Sequence, residues 1–262
     1  FTHYRHENDN TNSLSHDFVY TLAIDNQDNL WVGTVGGGLN YFNTKTKQFT
    51  HFRHRENDSI SISSDLVLSI IKDKQQNLWI GTLNGFNYFD IKKEQFTQYH
   101  HNPNDLNSLS SNSVFTIIED SKDNLWIGTS GGGLNYFNTR TEQFSHYRHH
   151  KNKPNSLSAD SIYSVFEDSL GHIWVGTDGG GLNYFNIKNK QFTQYHHQSN
   201  NPNSLSHNEV MSISEDNQGN IWLGTLTGGL NHFNINKEPF SHYQHQTNDN
   251  NSLSHNSVFS FA

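Results

Sequence analysis

A tryptophan recurs along this chain at an almost constant interval. Each copy stands in a near-identical hexapeptide (NLWVGT, NLWIGT, NLWIGT, HIWVGT or NIWLGT), and successive copies are 48, 47, 48 and 48 residues apart. The five tryptophans are Trp31, Trp79, Trp126, Trp174 and Trp222. Periods of roughly 40 to 50 residues are typical of propeller blades or of helical repeat pairs. The sequence is therefore a repeat array, and we interpret the tryptophan as a structural residue of the repeat.

Four short runs within each repeat have the composition of β-strands. In the third repeat they read SVFTIIED, NLWIGT, LNYFN and QFSHYRH, separated by the turn-forming segments SKD, SGGG and TRTE. No stretch shows apolar residues at helical spacing. We predict an all-β fold, a β-propeller array of four-stranded antiparallel blades that forms one domain over 1–262. The predicted repeats span 17–64, 65–111, 112–159, 160–207 and 208–256.

The amino-acid composition excludes several classes of protein and of partner. Only 32% of the 262 residues are hydrophobic, but 13% are Phe, Tyr or Trp, enough to build a core from converging rings. No apolar run approaches the length of a membrane span, no signal-peptide pattern is present, and we expect no membrane contact from this chain. The chain has no cysteine, which excludes disulfides and thiolate chemistry. A net charge of −8 without a basic run argues against nucleic acid as a partner.

Strand alternation predicts how neighbouring repeats pack. We expect Val114, Thr116 and Ile118 to face one neighbouring blade, and Phe115 and Ile117 to face the other. A glycine follows each tryptophan by two residues and is predicted to leave room for a ring. These glycines are Gly33, Gly81, Gly128, Gly176 and Gly224.

One motif carries a family resemblance. The block NSVFTIIEDSKDNLWIGTSGGGL resembles the repeat of the two-component regulator propeller family, which occurs in tandem in the sensor regions of bacterial hybrid histidine kinases. The resemblance recurs five times over nearly the whole chain, and repeat two is one residue shorter at LNGFNYFD. It implies a periplasmic or extracellular sensor module for signal transduction, often for carbohydrate fragments, in a propeller commonly of seven blades.

The two ends of the chain duplicate one another. Residues 1–23 align with residues 240–262, so five periods are followed by a duplicated outer strand and inner strand, with partial blade strands expected at 1–6 and 257–262. In a closed five-blade ring these copies would compete for the same places, whereas a longer array has no such conflict. We expect a piece of a longer array, which closes as five blades or forms a homo-oligomer through its unpaired terminal strands.

Three motifs have both a chemical and a structural interpretation. The histidines of the outer strands, such as His146 and His149, fit a hydrogen-bonding edge better than a metal site, which needs converging ligands. The Asp-rich hairpins lack the bidentate glutamate of calcium loops and fit structural turns. The GGG segments precede a strand, not a helix, and fit tight turns better than phosphate loops. We expect no metal and no cofactor.

Function is expected at the loops. Every catalytic candidate is repeated about five times, so no single asymmetric constellation stands out and we expect no enzyme. In a four-stranded blade, the long linker and the GGG loop emerge on the same face, which we call the long-loop face. We predict that it binds a small ligand, carbohydrate or peptide, unless its Ser and Asn residues only satisfy linker backbone. The candidate ligand-binding residues are His16, Asp17, Asp65, Asn84, Asn112, Ser130, Asp160, Asp178, His207, Asn208 and Thr227.

Two other functions stay open. The chain is alternatively a protein–protein interaction or oligomerisation scaffold, which would use an extended patch on a face or rim. A propeller lyase-type enzyme is the third alternative, because a fold does not dictate a function.

Overall fold

The computed structural model describes residues 1–234 and 240–261, and these residues form twenty β-strands and no helix. None of them therefore builds a helix long or apolar enough to cross a membrane. The strands are β1 Val19–Ile24, β2 Leu30–Thr34, β3 Gly38–Asn43, β4 Gln48–Phe52, β5 Val67–Lys72, β6 Leu78–Thr82, β7 Gly85–Asp90, β8 Gln95–Tyr99, β9 Val114–Glu119, β10 Leu125–Thr129, β11 Leu134–Asn138, β12 Gln143–Tyr147, β13 Ile162–Glu167, β14 Ile173–Thr177, β15 Leu182–Asn186, β16 Gln191–Tyr195, β17 Val210–Glu215, β18 Ile221–Thr225, β19 Leu230–Phe233 and β20 Ser241–Tyr243.

The strands make five sheets of four, each paired in sequence order. The strand pairings described are all antiparallel, as in the first sheet, where Trp31 lies opposite Tyr41 and Phe42 lies opposite Phe49. Each sheet corresponds to one tryptophan-containing repeat. This confirms the predicted all-β fold of four-stranded antiparallel blades.

The chain divides into two compact units. The first comprises Phe1–Glu119 with Asn138–Phe144, and the second comprises Asp120–Phe137 with Ser145–Ala262. Aromatic and aliphatic side chains build the core of both, as the composition predicts. A cluster around Trp31, Ile70 and Phe89 forms a core of the first unit, and one around Trp174 and Phe233 forms a core of the second.

The first strand of each repeat does not alternate as predicted. In β9, Val114 and Ile117 are buried, whereas Thr116 and Ile118 are only partly covered, so the predicted two-face assignment is wrong there. In β5 the register shifts between Val67 and Ser69, and β1, β13 and β17 carry the same shift. A β-bulge of this kind inserts one residue and reverses the faces that follow it.

The glycine two residues after the tryptophan makes room for a valine and not for a ring. A Cβ on Gly33 would lie 2.6 Å from Val67 Cγ1, and one on Gly81 would lie 2.6 Å from Val114 Cγ1. In the second unit, Gly176 and Val210 are related in the same way. The valine begins the next repeat, so this position carries close packing between consecutive repeats, and the expected ring is corrected to an aliphatic side chain.

The hairpin turns are structural, as expected. The fourth turn residue has a positive φ in each described hairpin: Asp28 (62°), Gln76 (74°), Asp123 (64°), Gly171 (79°) and Gly219 (78°). The GGG segments also contain residues in this left-handed region, such as Gly131 at 72° and Gly133 at 78°. Glycine adopts these angles without steric cost, which explains its recurrence in these loops.

Neither terminal duplicate forms a strand, which corrects the expectation of strands at 1–6 and 257–262. Residue 262 lies outside the described residues, as do 235–239 of the fifth repeat. No sheet partner pairs with either segment, but each packs in a place of its own. The Tyr4 ring lies 4.6 Å from the Phe42 ring. The equivalent residues of the next repeat make the same contact, because the Phe52 ring lies 4.9 Å from the Phe89 ring. In the second unit, Val258 packs on Gly224.

Candidate functional site

Each linker, the segment between the last strand of one repeat and the first strand of the next, is folded by a Ser-Leu-Ser block, or by Ser-Ile-Ser at 61–63. In the linker after β12, the Ser156 hydroxyl accepts the His150 N–H at 3.0 Å and donates to the Lys153 carbonyl at 2.7 Å. Ser158 donates its N–H to Asn183 Oδ1 at 3.0 Å, and Asn183 Nδ2 donates to the Ser158 hydroxyl at 2.7 Å. These bonds satisfy buried polar groups, so the serine blocks are structural parts of the fold.

A histidine closes each linker. His149 donates its N–H to Asp160 Oδ1 at 2.7 Å, and its Nδ1 lies 2.8 Å from the Leu157 carbonyl oxygen. The same pair of bonds recurs at His6, His54, His101, His197 and His245. These histidines hold the linker, and among the described residues no cluster of three His, Asp or Glu side chains is arranged to bind a metal.

Five of the predicted ligand-binding residues accept the backbone N–H of these linker histidines. One side-chain oxygen of each accepts a histidine N–H at 2.6–2.7 Å: Asp17, Asp65, Asn112, Asp160 and Asn208. The bond occupies one oxygen of each side chain and fixes its position. The sequence is compatible with this structural role for linker residues in general, but only the fold shows that a histidine bonds the residue eleven positions later.

The structure also brings the linker and the glycine loop together within each unit. In the first unit, the Asp65 carbonyl accepts the Gly38 N–H at 2.9 Å, and the Asn112 carbonyl accepts the Gly85 N–H at 2.7 Å. In the second unit, the Asp160 carbonyl accepts the Gly133 N–H at 2.8 Å. The two kinds of loop are thus neighbours, as the predicted long-loop face requires within a single repeat.

The other predicted residues lie on these loops with different partners. His16 Nδ1 accepts the Phe18 N–H at 3.1 Å, and His207 Nδ1 accepts the Glu209 N–H at 3.2 Å. The backbone N–H of Asn84 bonds Thr82 Oγ1 at 3.1 Å. Of the predicted residues that do not bond a histidine, four are exposed, namely His16, Asn84, Asp178 and Thr227, and Ser130 is half-buried. Across the described chain, the Asp178 carboxylate and the Thr227 hydroxyl have no side-chain hydrogen bond.

A cleft in the first unit was not predicted from the sequence. Its volume is about 460 Å³, and it lies beside the tryptophan of the first repeat, between the first and second sheets. It is lined by Asp25, Asn26, Gln27, Trp31, Tyr41, Thr50, Phe52, Gln76, Phe89, Ile91 and Glu94. We call it the Trp31 cleft.

Aromatic rings form the inner wall of the Trp31 cleft. The Trp31 ring centroid lies 4.7 Å from that of Tyr41, and the two rings are tilted. It lies 5.7 Å from that of Phe89, and these two rings are edge-on. Phe52 lies 4.9 Å from Phe89, also edge-on. Trp31 and Phe89 are buried, whereas Tyr41 and Phe52 are partly exposed. The accessible apolar surface therefore comes from two rings that are fixed by two buried ones.

The Trp31 cleft holds a buried donor and a buried acceptor without partners. In the third, fourth and fifth repeats the indole Nε1 donates to the hairpin aspartate, as Trp174 does to Asp168 Oδ2 at 2.9 Å. In the first repeat, Asp25 Oδ2 instead accepts the Tyr41 hydroxyl at 3.2 Å, and Trp31 Nε1 has no partner among the described residues. Gln76 Oε1 is also buried and has no partner within the same part of the chain. Unpaired buried polar atoms are rare in folded proteins and call for an explanation.

Hydrogen bonding sets the charge of Asp25 in the cleft. Burial raises the pKa of its carboxyl, but hydrogen bonds from Asn29, Gln27 and Tyr41 outweigh burial and leave the pKa below its ordinary value. The pKa of Tyr41 is raised by burial and by the Asp25 charge. Asp25 is therefore ionised at neutral pH, and Tyr41 keeps its proton as a hydrogen-bond donor.

These features define a class of protein. Five sequential four-stranded antiparallel sheets, one per tryptophan repeat, are the blades of a β-propeller repeat protein. The model of the two component regulator propeller family matches residues 13–36, 61–84, 108–131, 156–179 and 204–227. The chain is thus a tandem array of two component regulator propeller repeats, and this confirms the resemblance found in its sequence.

Solved structures share this fold. The extracellular domain of BT3049, described as a hybrid two component system of B. thetaiotaomicron, is 24% identical and superimposes with a TM-score of 0.78, covering 97% of this chain and 32% of that chain. The extracellular domain of BT4673 from the same organism is 18% identical with a TM-score of 0.62, covering 98% of this chain and 36% of that chain. This chain thus spans about a third of the length of these domains.

A more distant structure is an enzyme. Virginiamycin B lyase from Staphylococcus aureus is 12% identical with a TM-score of 0.64, covering 88% of this chain and 71% of that chain. At such identities the likeness shows the fold alone. Among curated protein sequences, none matches this chain.

Proposed function

We propose that this chain is a non-catalytic, ligand-sensing propeller module that acts outside the cytoplasm, in the periplasm or at the cell surface, in bacterial signal transduction. Two findings support the proposal: the family of its repeats, and the fold it shares with extracellular domains of two component systems. Because the chain spans about a third of those domains, we propose it as one part of a larger sensor.

The Trp31 cleft is the observation that carries the proposal. A ligand hydroxyl or amide group both donates and accepts, so it complements the unpaired Trp31 Nε1 and Gln76 Oε1 after a small local adjustment. The partly exposed rings of Tyr41 and Phe52 offer apolar surface beside these groups. The lining contains two carboxylates, Asp25 and Glu94, and no lysine or arginine, which disfavours anions. We propose a neutral carbohydrate or peptide fragment as the ligand.

The long-loop face is the second proposed location. The exposed side chains of Asp178 and Thr227, and the second carboxylate oxygen of a histidine-binding aspartate such as Asp160, offer donors and acceptors beside the glycine loops. Binding at this face and binding in the Trp31 cleft are distinguished by one set of variants.

The test is binding of the folded 262-residue chain to a panel of glycans and peptides by calorimetry. Thr50→Arg places a large side chain in the cleft, whereas Thr193→Arg makes the same change at the same repeat position outside it. We expect saturable binding that Thr50→Arg weakens at least tenfold and Thr193→Arg leaves unchanged. Loss with Asp178→Ala instead would move the site to the long-loop face. No binding to any panel member would overturn the sensor proposal.

A second function, a scaffold for association, is favoured by the outer face of β1. Tyr20, Leu22 and Ile24 are exposed by 54%, 57% and 58%, whereas Ile70, at the position of Leu22 in the next repeat, is buried against the first sheet. The β1 face therefore has the shape that packs against another repeat of the same type. We propose that a second copy of this chain covers it.

Sedimentation tests this association. We expect the 262-residue chain to form a concentration-dependent oligomer and Leu22→Asp to remain monomeric. Leu106→Asp is the control, because Leu106 is 89% exposed in a linker away from β1. A chain that stays monomeric at all concentrations contradicts the scaffold function and leaves the sensor proposal untouched.

A further inference from the structure

The fourth repeat carries an aspartate–glycine pair at the tip of its glycine loop. Asp178 and Gly179 are both exposed, whereas Thr177 before them and Gly180 after them are buried. In such a pair the backbone nitrogen of the glycine can attack the aspartate side chain, because glycine has no Cβ to obstruct the approach. The shorter glycine loop of the second repeat contains an asparagine–glycine pair, 84–85, that is open to the analogous reaction.

The base of the loop around Asp178 is held by the fold. Thr177 donates its N–H to the Gly181 carbonyl at 3.1 Å, and the Gly181 N–H donates to the Asn208 carbonyl at 2.8 Å. The backbone N–H of Asp178 donates to the Ser161 carbonyl at 2.9 Å. A small movement of the loop tip therefore leaves the sheet and its neighbouring linker intact.

The tip itself has the freedom that the rearrangement needs. Neither the Gly179 N–H nor the Asp178 carboxylate has a hydrogen bond among the described residues. A Cβ on Gly179 would have no atom within 4 Å. In the third repeat the equivalent Gly131 N–H donates to the Ser161 hydroxyl at 3.2 Å, but the fourth repeat has Glu209 at the position of Ser161. The two reacting groups are thus free to meet by rotation about the Cα–C bond of Asp178.

The asparagine–glycine pair of the second repeat is locked by comparison. The Gly85 N–H donates to the Asn112 carbonyl at 2.7 Å, and Asn84 Nδ2 donates to the Ser63 carbonyl at 3.5 Å. A Cβ on Gly85 would lie 3.0 Å from Ser63 Oγ and 3.1 Å from His100 Cε1. The attacking nitrogen and the side chain would both have to leave hydrogen bonds before they met, which costs free energy.

We propose that Asp178 is a site of spontaneous covalent modification, the isomerisation of aspartate to isoaspartate, and that the fold protects Asn84 from the analogous reaction. The Gly179 nitrogen loses its proton and bonds to Asp178 Cγ, while the hydroxyl of the neutral carboxylic acid leaves with a proton as water. Water then adds to either carbonyl carbon of the cyclic imide and reopens the ring, to isoaspartate or back to aspartate. The water released is taken up again, so no other reactant is needed.

The modification would change the long-loop face of the fourth repeat. In isoaspartate the main chain runs through the side-chain carbonyl and gains one methylene carbon, and the free carboxylate is attached to Cα. The carboxylate that Asp178 presents is thereby displaced in aged copies of the chain. The reaction needs no ligand, so its test is independent of the sensor proposal.

The test compares the two pairs in one molecule. The folded 262-residue chain is incubated at mildly acidic pH and digested, and its peptides are sequenced by electron-transfer fragmentation, which distinguishes isoaspartate from aspartate. We expect isoaspartate to accumulate at position 178, through an intermediate lighter by one water molecule, while Asn84 stays unchanged. No isoaspartate at position 178 throughout the incubation would overturn the proposal.

Asp178→Asn makes the comparison like for like, because both pairs are then asparagine–glycine and both react with loss of ammonia. We expect position 178 to deamidate at least tenfold faster than Asn84 in the folded chain. In guanidinium chloride the hydrogen bonds of Gly85 are lost, and the two rates should become similar. Equal rates in the folded chain, or a faster reaction at Asn84, would overturn the protection by the fold.

Gly179→Thr tests the attacking nitrogen. Thr227 occupies the position of Gly179 in the fifth repeat, so the repeat already accommodates this residue. Its branched side chain obstructs the approach of the nitrogen, and we expect isomerisation of Asp178 to slow at least tenfold. An unchanged rate would mean that the reaction does not pass through the nitrogen of residue 179, and would overturn the mechanism.

Discussion

Glu167 accepts two hydrogen bonds from Ser121, which lies 46 residues earlier in the chain: its carboxylate oxygens are 2.7 Å from the Ser121 backbone nitrogen and 2.8 Å from the Ser121 hydroxyl. Glu215 holds Ser169 in the same way at 2.7 and 2.9 Å. In the first unit, Lys72 at this position donates to Asn26 at 2.8 Å. The last residue of a first strand thus ties its repeat to the hairpin of the repeat before it.

Removing the charge of Glu167 should loosen this tie. In Glu167→Gln the side-chain amide keeps one oxygen to accept the Ser121 N–H and can donate to the Ser121 hydroxyl, but both bonds lose the assistance of the carboxylate charge. Because the contact is solvent-exposed, we expect a loss of about 1 kcal/mol in the free energy of unfolding. Urea unfolding measures it, with Glu56→Gln as an exposed control that should change stability by less than about 0.5 kcal/mol. Equal effects of the two variants would contradict the role of the carboxylate.

Gly176→Ala should disrupt the packing between consecutive repeats. The added Cβ would contact Ser164 Oγ and would lie 2.5 Å from the Val210 carbonyl oxygen and 2.8 Å from Val210 Cγ1. Backbone must move to accept it, so we expect a loss of about 3 kcal/mol. Gly171→Asp is the matched control, because Asp28 and Asp123 already occupy this turn position with positive φ. Thermal unfolding should show a large decrease for the first variant and little change for the second.

The same substitution at two equivalent valines should differ in effect. Val210 is fully buried in the second unit, whereas Val19, at the same repeat position on β1, is 41% exposed. We expect Val210→Ala to lower the free energy of unfolding by about 2 kcal/mol and Val19→Ala by less than about 0.5 kcal/mol. Urea unfolding at low protein concentration checks this. A comparable loss at Val19 would mean that the β1 face is covered in solution.

Asp216 should make stability depend on acidity. Hydrogen bonds from the Asn220 side chain, the Trp222 indole and the Asn220 backbone hold the pKa of its carboxyl below the ordinary value of 3.8. A lowered pKa means that the folded state favours the ionised form, so this contribution is complete above about pH 5 and is lost as the pH falls through the lowered pKa. We expect Asp216→Asn to be less stable than the parent chain at pH 7.

The acid titration checks the sign of this effect. Urea midpoints followed by circular dichroism should converge for Asp216→Asn and the parent chain as the pH falls from 5 to 2, because only the parent loses the contribution of the ionised carboxylate. A difference that stays constant over this range would show that the carboxylate charge is not what holds Trp222.

Periodicity predicts the sheets better than it predicts their faces. The tryptophan interval and the turn residues fix the number and order of the strands, because both are local signals. The bulge between Val67 and Ser69 has no such signal, since it comes from pairing with the second strand. The predicted ring partner of Gly33 is wrong for a related reason: the contact with Val67 joins two repeats, and sequence patterns within a single repeat do not reveal it.

The candidate sites show the same limit. The sequence predicts that the linker residues lie on one face of the blades, but their hydrogen bonds to histidines such as His149 depend on a folded turn. In the Trp31 cleft, Asp25 bonds Tyr41 and Trp31 Nε1 stays unpaired, although the sequence of the first repeat resembles the others at these positions.

The packing of each linker on the sheet that follows it defines which segment of the chain can be duplicated or exchanged as a unit. The Asn155 carbonyl receives the Phe192 N–H, and the Asn203 carbonyl likewise receives the Phe240 N–H, so each linker is fastened to the sheet that comes after it. A gene segment that begins at the first strand of a repeat would separate the sheet from the linker that is bonded to it. A segment that begins just after the fourth strand of the preceding repeat would keep the linker and its sheet together. Duplication, deletion or transplantation of repeats should therefore succeed when the boundary lies near Tyr147 or Tyr195, ahead of the linker.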